Sequence, residues 1–220
     1  MKLLRSQWLR LVVHVGAWIP LAWIVADGFL GHLGVDPIRE IILRTGKTSL
    51  VLLVLSLACT PLNTFLGFRP ALQVRRALGL YAFGYAALHF LVFVGVDYGL
   101  DLGLLYDAIF DKPYALVGLA AFLILFSLAL TSTRISMQRL GQTWRRLHYG
   151  VYVAALLVVV HFVWLVKLDS REPLTYGAIV VALLVARLSV VRRVVSRARR
   201  HWNQPQITQI SQSEIKSNMD

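Results

Sequence analysis

The sequence predicts an all-α, polytopic membrane bundle of six transmembrane helices with both termini cytoplasmic, and three observations predict it. Hydrophobic residues make up 57% of the 220 residues and charged residues 15%, a balance too apolar for a soluble domain. Six apolar runs reach the length of about 20 residues that a helix needs to cross a hydrocarbon core of about 30 Å. The formal net charge of +12, from 23 Lys and Arg against 11 Asp and Glu, is sorted between the connectors as a membrane sorts it.

The spans are placed at 8–29, 48–66, 77–98, 113–130, 147–166 and 173–191. The first follows Lys2, Arg5 and Arg10, yet it is too long for a signal peptide, contains Pro20 and several Trp, and has no clear small-residue cleavage site, so it is read as retained. The connector to the second carries Asp36, Arg39, Glu40, Arg44 and Lys47, and the next carries only cations, Arg69, Arg75 and Arg76. The third and fourth spans are joined by an acidic connector from Asp97 to Lys112, the fourth and fifth by a basic one with Arg134, Arg139, Arg145 and Arg146. The fifth and sixth flank Lys167, Asp169, Arg171 and Glu172, and a basic to polar tail, 196–220, follows the 1–195 membrane domain.

With a cytoplasmic N-terminus and alternating spans, 17 of the 23 cations lie on the inner side and nine of the 11 acids on the outer. This bias fixes the orientation and explains the excess positive charge without nucleic acid, the Arg192 to Arg200 run being a flank beside a span. Trp8, Trp144, Trp164, Tyr98, Tyr114 and Tyr176 fall near span ends, where amphipathic rings favour the headgroup zone. The single cysteine, Cys59, excludes an internal disulfide and any CxxC motif.

Every carboxylate lies at a span end or in a connector, so the interior lacks the acidic chain of a proton pump or cation-coupled transporter. Histidines remain. His89 sits about 11 residues into the third span and His161 comparably deep in the fifth; His148 opens the fifth span and His14 lies in the first turns of the first. His32 and His201 read as surface residues. Spans three and five are parallel, so residue counts convert to depth: His161 is about 20 Å beyond His148 at 1.5 Å per residue. The same step back from His89 reaches Arg75 or Arg76. Register therefore puts His89 and His161 at one outer level, and His148 with Arg75 and Arg76 at one inner level. Two imidazoles facing each other in a bundle clamp the iron of a b-type heme from both sides; a single membrane histidine, by contrast, commonly bonds a neighbouring hydroxyl or carbonyl.

Arg75-Arg76-Ala-Leu-Gly79-Leu-Tyr-Ala-Phe83-Gly-Tyr85-Ala-Ala-Leu-His89 resembles the RRxLGLxxFxYxxxH signature of the MsrQ (YedZ) family. Further matches are Gly34-Val-Asp-Pro37, Thr45-Gly46, Thr60-Pro61-Leu62, Leu130-Thr131-Ser132-Thr133 and Leu140-Gly141-Gln-Thr-Trp144-Arg-Arg-Leu-His148, running up to about Val195. The resemblance implies a ferric-reductase-like transmembrane domain, the heme-binding membrane subunit of a bacterial periplasmic methionine-sulfoxide reductase system. It implies His89 and His161 as axial ligands of an outer heme b and His148 as a ligand of an inner one. Arg75 stands where the wider set of domains has a second inner histidine. A guanidinium is a poor ligand, so the inner heme is either held by His148 with a weak or absent second ligand, or Arg75 and Arg76 meet heme propionates instead. His14 is a weak candidate for the inner site.

The resemblance further implies a non-catalytic electron-transfer subunit in the bacterial inner membrane, a quinone or flavin electron donor, bound FMN, and a heterodimer with a molybdopterin-containing periplasmic catalytic subunit. No Gly-rich dinucleotide fingerprint is present. The rival readings are a small transporter or channel using His89, His148 and His161 as a relay, and a ferric-reductase-type cytochrome with another acceptor.

Overall fold

The computed structural model describes residues 2–166, 170–188 and 191. Among these residues the chain is helical with no strand: α1 (Lys2–Leu30), α2 (Pro37–Leu66), α3 (Pro70–Leu91), a π-helical turn continuing it (Val92–Asp97), α4 (Leu102–Phe110), α5 (Pro113–Leu130), α6 (Arg134–His148), α7 (Gly150–Leu165) and α8 (Arg171–Val185). Three of the helices, α2, α3 and α5, begin on a proline, where the missing N–H costs nothing and the fixed φ suits the first turn. Asp36 caps α2 by accepting from the Arg39 N–H, and Gly67 ends it at φ 68° with its N–H on Asn63 C=O, a left-handed cap that glycine adopts without strain.

Among the described residues five helical stretches are long and apolar enough to cross a membrane: Gln7–Leu30, Pro37–Leu66, Pro70–Asp97, Pro113–Leu130 and Arg134–Leu165, the last running through α6 and α7. The predicted fourth span coincides with α5. The predicted sixth corresponds to α8, 15 residues long; positions 189 and 190 of that span lie outside the described residues, as does the 196–220 tail.

One predicted boundary needs correction. The second span is predicted to begin at residue 48, but α2 begins at Pro37. Glu40, Arg44 and Lys47 are carried on the helix in ion pairs: Arg44 Nη1 with Asp27 of α1 at 2.5 Å, Arg44 Nε with Glu40 at 2.7 Å, and Lys47 with Glu172 of α8 at 2.5 Å. The connectors between the third and fourth and between the fourth and fifth spans contain α4 and α6. Asp101 caps α4 by accepting from the Gly103 and Leu104 N–H groups, and Thr133 caps α6 by accepting from Ser136 N–H. Gly141 breaks α6 at φ 49°.

α3 packs chiefly on α2 and also on α1 and α5, while α7 packs on α5 and α8. Leu53 and Leu57 of α2, Ala82 of α3, Leu125 of α5, Ala154 and Ala155 of α7 and Val180 of α8 meet in one core. Ala82 and Ala154 are fully buried; small side chains let membrane helices approach closely where apolar burial drives nothing between lipid-solvated surfaces. Large apolar side chains such as Trp18, Trp23, Leu123 and Trp164 are exposed on the outside of the bundle.

Polar contacts stitch α1 to α3. Arg10 Nη2 donates to Gln73, and the Tyr85 hydroxyl is inserted between an α1 carbonyl and amide, donating to Ala17 C=O at 2.7 Å and accepting from Leu21 N–H at 3.0 Å. Pro20, inside α1, loosens the ladder at this turn. Removing the hydroxyl in Tyr85→Phe is expected to cost about 1 kcal/mol, the usual worth of an interhelical hydrogen bond in a membrane protein. A lower midpoint on thermal unfolding in detergent is the measurement, with little change in helix content.

Candidate functional site

His89 lies on the last turn of α3 before the π-helical segment, and His161 on the last turn but one of α7. Their ring centroids are 6.3 Å apart and the planes stand at 89°. Each ring is held by a backbone carbonyl of the neighbouring helix. His89 Nδ1 bonds Ile42 C=O of α2 at 2.8 Å, and His161 Nδ1 bonds Tyr114 C=O of α5 at 2.6 Å. A carbonyl only accepts, so Nδ1 carries the proton in both rings and each Nε2 keeps its lone pair. A carbonyl partner on the far nitrogen is also what fixes the orientation and raises the basicity of a metal-bound imidazole.

One turn beyond each carbonyl is a glycine. A Cβ on Gly46 would stand 2.9 Å from His89 Nδ1, and one on Gly118 would stand 2.6 Å from His161 Nδ1. The two halves repeat each other: Ile42, Gly46, Leu53, Ala82 and His89 recur as Tyr114, Gly118, Leu125, Ala154 and His161 at one constant offset along the chain. In each half the histidine follows its carbonyl partner by 47 residues. The α2–α3 pair and the α5–α7 pair are thus equivalent units that bring one imidazole each to the same place.

The residues fit a metal held between two neutral imidazoles. A metal–nitrogen bond of about 2 Å on either side, added to the span from ring nitrogen to ring centre, brings two ligand centroids to roughly 6 Å apart, close to what the rings show. The Tyr114 ring lies 6.1 Å from that of His161, and Phe83 and Phe90 of α3 pack on Phe122 of α5, with Phe90 and Phe122 stacked at 4.6 Å.

The other predicted residues separate into two places. His148 ends α6, its ring stacked on Trp144 at 3.9 Å and its Nδ1 bonded to Trp144 C=O at 3.1 Å. Trp144 is itself anchored, its indole N–H donating to Thr131 C=O at 2.9 Å. Arg75 lies within electrostatic range of His148 and donates to Thr60 Oγ1 at 3.3 Å. Arg76 is exposed. His14 bonds the Tyr81 hydroxyl at 2.9 Å across the α1–α3 seam, where it makes no ring or hydrogen-bond contact with the other described histidines. Among the described residues no group of three His, Cys, Asp or Glu gathers tightly enough to hold a bare metal ion.

Residues 42–159 match the family described as ferric reductase like transmembrane component. A protein-methionine-sulfoxide reductase heme-binding subunit MsrQ from Caulobacter vibrioides is 39% identical over 188 residues, 85% of this chain and 90% of that protein. The chain belongs to the MsrQ family. No solved structure matches it. Within this MsrQ-family chain, the sequence had singled out the histidines but not the roles of Ile42, Tyr114, Gly46 and Gly118. The repeated spacing of glycine and histidine in the two halves is the signal that exposes them.

Proposed function

We propose that the chain is the transmembrane electron-transfer subunit of a methionine-sulfoxide reductase system, and that His89 and His161 are the axial ligands of a b-type heme. The observation that carries this reading is the pair of carbonyl-oriented imidazoles 6.3 Å apart. His89 and His161 would hold the iron through their free Nε2 atoms, and a heme held so would supply one-electron transfer. The work of this chain is to orient both rings through Ile42 and Tyr114 and to hold the pair at one end of the bundle. The name of the Caulobacter relative supports both the cofactor and the reductase system.

In the same proposal the bundle crosses the bacterial inner membrane six times with both termini cytoplasmic, so the His89–His161 pair faces the periplasm. Electrons come from the quinone pool or from a flavin such as FMN and leave to a periplasmic, molybdopterin-containing catalytic subunit. His148 serves a second, inner site. Purified protein tests the central claim: a reducible b-type absorption spectrum is expected, and a colourless protein with transport activity overturns it.

The docking surface proposed for the catalytic partner is the acidic segment around α4. Asp101, Asp107 and Asp111 are exposed there, whereas Lys112 is tied down by donating to the Tyr98 hydroxyl at 3.1 Å, a bond that raises its pKa above the ordinary lysine value. Asp101→Lys with Asp107→Lys is expected to slow electron delivery to the partner by about tenfold at low salt, with the loss shrinking as salt screens the rest of the surface. Equal transfer rates in wild type and variant would remove the docking surface.

A further inference from the structure

The other end of the bundle holds a cluster of charge that the His89–His161 pair does not use. Pro61 lies inside α2 and has no N–H, so Leu57 C=O loses its helical donor. Arg187, just past α8, supplies the replacement: Nη2 donates to Leu57 C=O at 2.5 Å and Nη1 to the Tyr152 hydroxyl of α7 at 2.9 Å. The guanidinium lies over the Tyr152 ring, 5.3 Å from its centroid. Less than a turn along α2, Thr60 Oγ1 accepts from Arg75. Both arginines are within electrostatic range of Cys59, between those two contacts, and Arg75 is within range of His148.

Two facts show that the cluster is incomplete among the described residues. His148 Nε2 and Arg187 Nε are the two buried side-chain nitrogens without a hydrogen-bond partner among the described residues, and leaving such a group unmatched costs about 1–3 kcal/mol. None of the four ion pairs among the described residues includes Arg75 or Arg187. The described acids all lie on or beside the opposite ends of the helices, from Asp27 to Glu172. A guanidinium with a buried, unmatched N–H, as in Arg187, favours an anion, and it matches carboxylate or phosphate through paired N–H donors. His148 adds a different chemistry: Trp144 C=O occupies its Nδ1–H, so Nε2 presents a lone pair.

We propose that Arg187, with Arg75, binds the acidic group of an amphiphilic cofactor seated beside His148. The proposal deepens the reading of His148 as a second cofactor site and rests on it. A buried lone pair with Arg75 in electrostatic range, and Arg187 bonded to Tyr152 one turn along from His148, suits a ligand that carries both a metal and carboxylates, a metalloporphyrin with its propionates; a flavin phosphate would use the guanidiniums alone.

Arg187 also supports the fold by capping Leu57, and Pro61→Ala separates the two roles because alanine restores the backbone donor to that carbonyl. Purified full-length Pro61→Ala and Pro61→Ala/Arg187→Gln chains are compared for heme per chain, heme midpoint potentials and FMN affinity by fluorescence titration. The expected result is that Pro61→Ala matches wild type while the double variant loses one of two hemes or shifts the potential of one, the His89–His161 heme being unaffected. Unchanged heme with FMN affinity weakened at least tenfold assigns the acidic group to the flavin phosphate and keeps the site. A double variant indistinguishable from Pro61→Ala in heme and FMN overturns the proposal and leaves Arg187 as a helix cap. Wild-type protein without any heme fails the underlying reading instead, whatever Arg187 does.

Discussion

Purified His89→Ala and His161→Ala chains are each expected to carry at least tenfold less tightly held heme at the six-coordinate site than wild type, with helix content retained. Either substitution takes away one of two axial nitrogens and the imidazole donor to a carbonyl, Ile42 or Tyr114, of which Ile42 C=O keeps the Thr45 hydroxyl as a donor at 3.0 Å. That carbonyl still accepts from its own helix, so the fold loses little and the cofactor loses a ligand outright. His148→Ala is expected to spare this heme, because Trp144 holds His148 separately. The measurement is the reduced-minus-oxidised spectrum together with heme per chain. Wild-type spectra in both the His89 and His161 variants would sink the ligand assignment.

Gly118→Ala is expected to weaken heme retention about tenfold while leaving the empty bundle as stable as before or slightly more so. A methyl group there would lie 2.6 Å from His161 Nδ1 and 2.8 Å from Cε1, closer than packed atoms approach. The ring has little freedom to yield, since its Nδ1 is bonded to Tyr114 C=O at 2.6 Å, one turn before the glycine on the same helix. It must give up that bond and swing away from His89. Alanine nevertheless favours a helix over glycine by about 1 kcal/mol, so helix stability and cofactor retention are expected to move in opposite directions. Gly46→Ala should act the same way but less, its nearest contacts with His89 being 2.9 and 3.1 Å. Thermal unfolding of heme-free protein, set beside heme titration, separates the two effects; a Gly118→Ala chain that binds heme as wild type would show that the close approach is unimportant.

The level of His89 and His161 was legible in the sequence because parallel helices share a rise per residue, so that counting from the basic end of each gives depth. The limits of α5 were legible for a simpler reason: Lys112-Pro113 opens an uninterrupted apolar run that ends at Thr131. The start of α2 was not, since Arg44 and Lys47 look like connector residues until Asp27 and Glu172 are seen beside them. Those partners come from α1 and from α8, distances along the chain at which local pattern carries no information. α6 was hidden by its composition, and Arg187 by its place at the edge of a span, where a snorkelling cation is the ordinary reading. Its relation to Pro61 is a contact between residues 130 apart from Leu57 onward, visible only once the bundle is closed.

The same contact bears on how the protein is made. α2 emerges from the ribosome early and carries, from then on, a carbonyl at Leu57 that its own backbone cannot answer. The donor that answers it sits just past α8, 130 residues after Leu57. Chain growth proceeds from the N-terminus, so this contact forms only once α8 has been made. Until then the basic end of the bundle lacks the guanidinium that ties Leu57 of α2 to Tyr152 of α7.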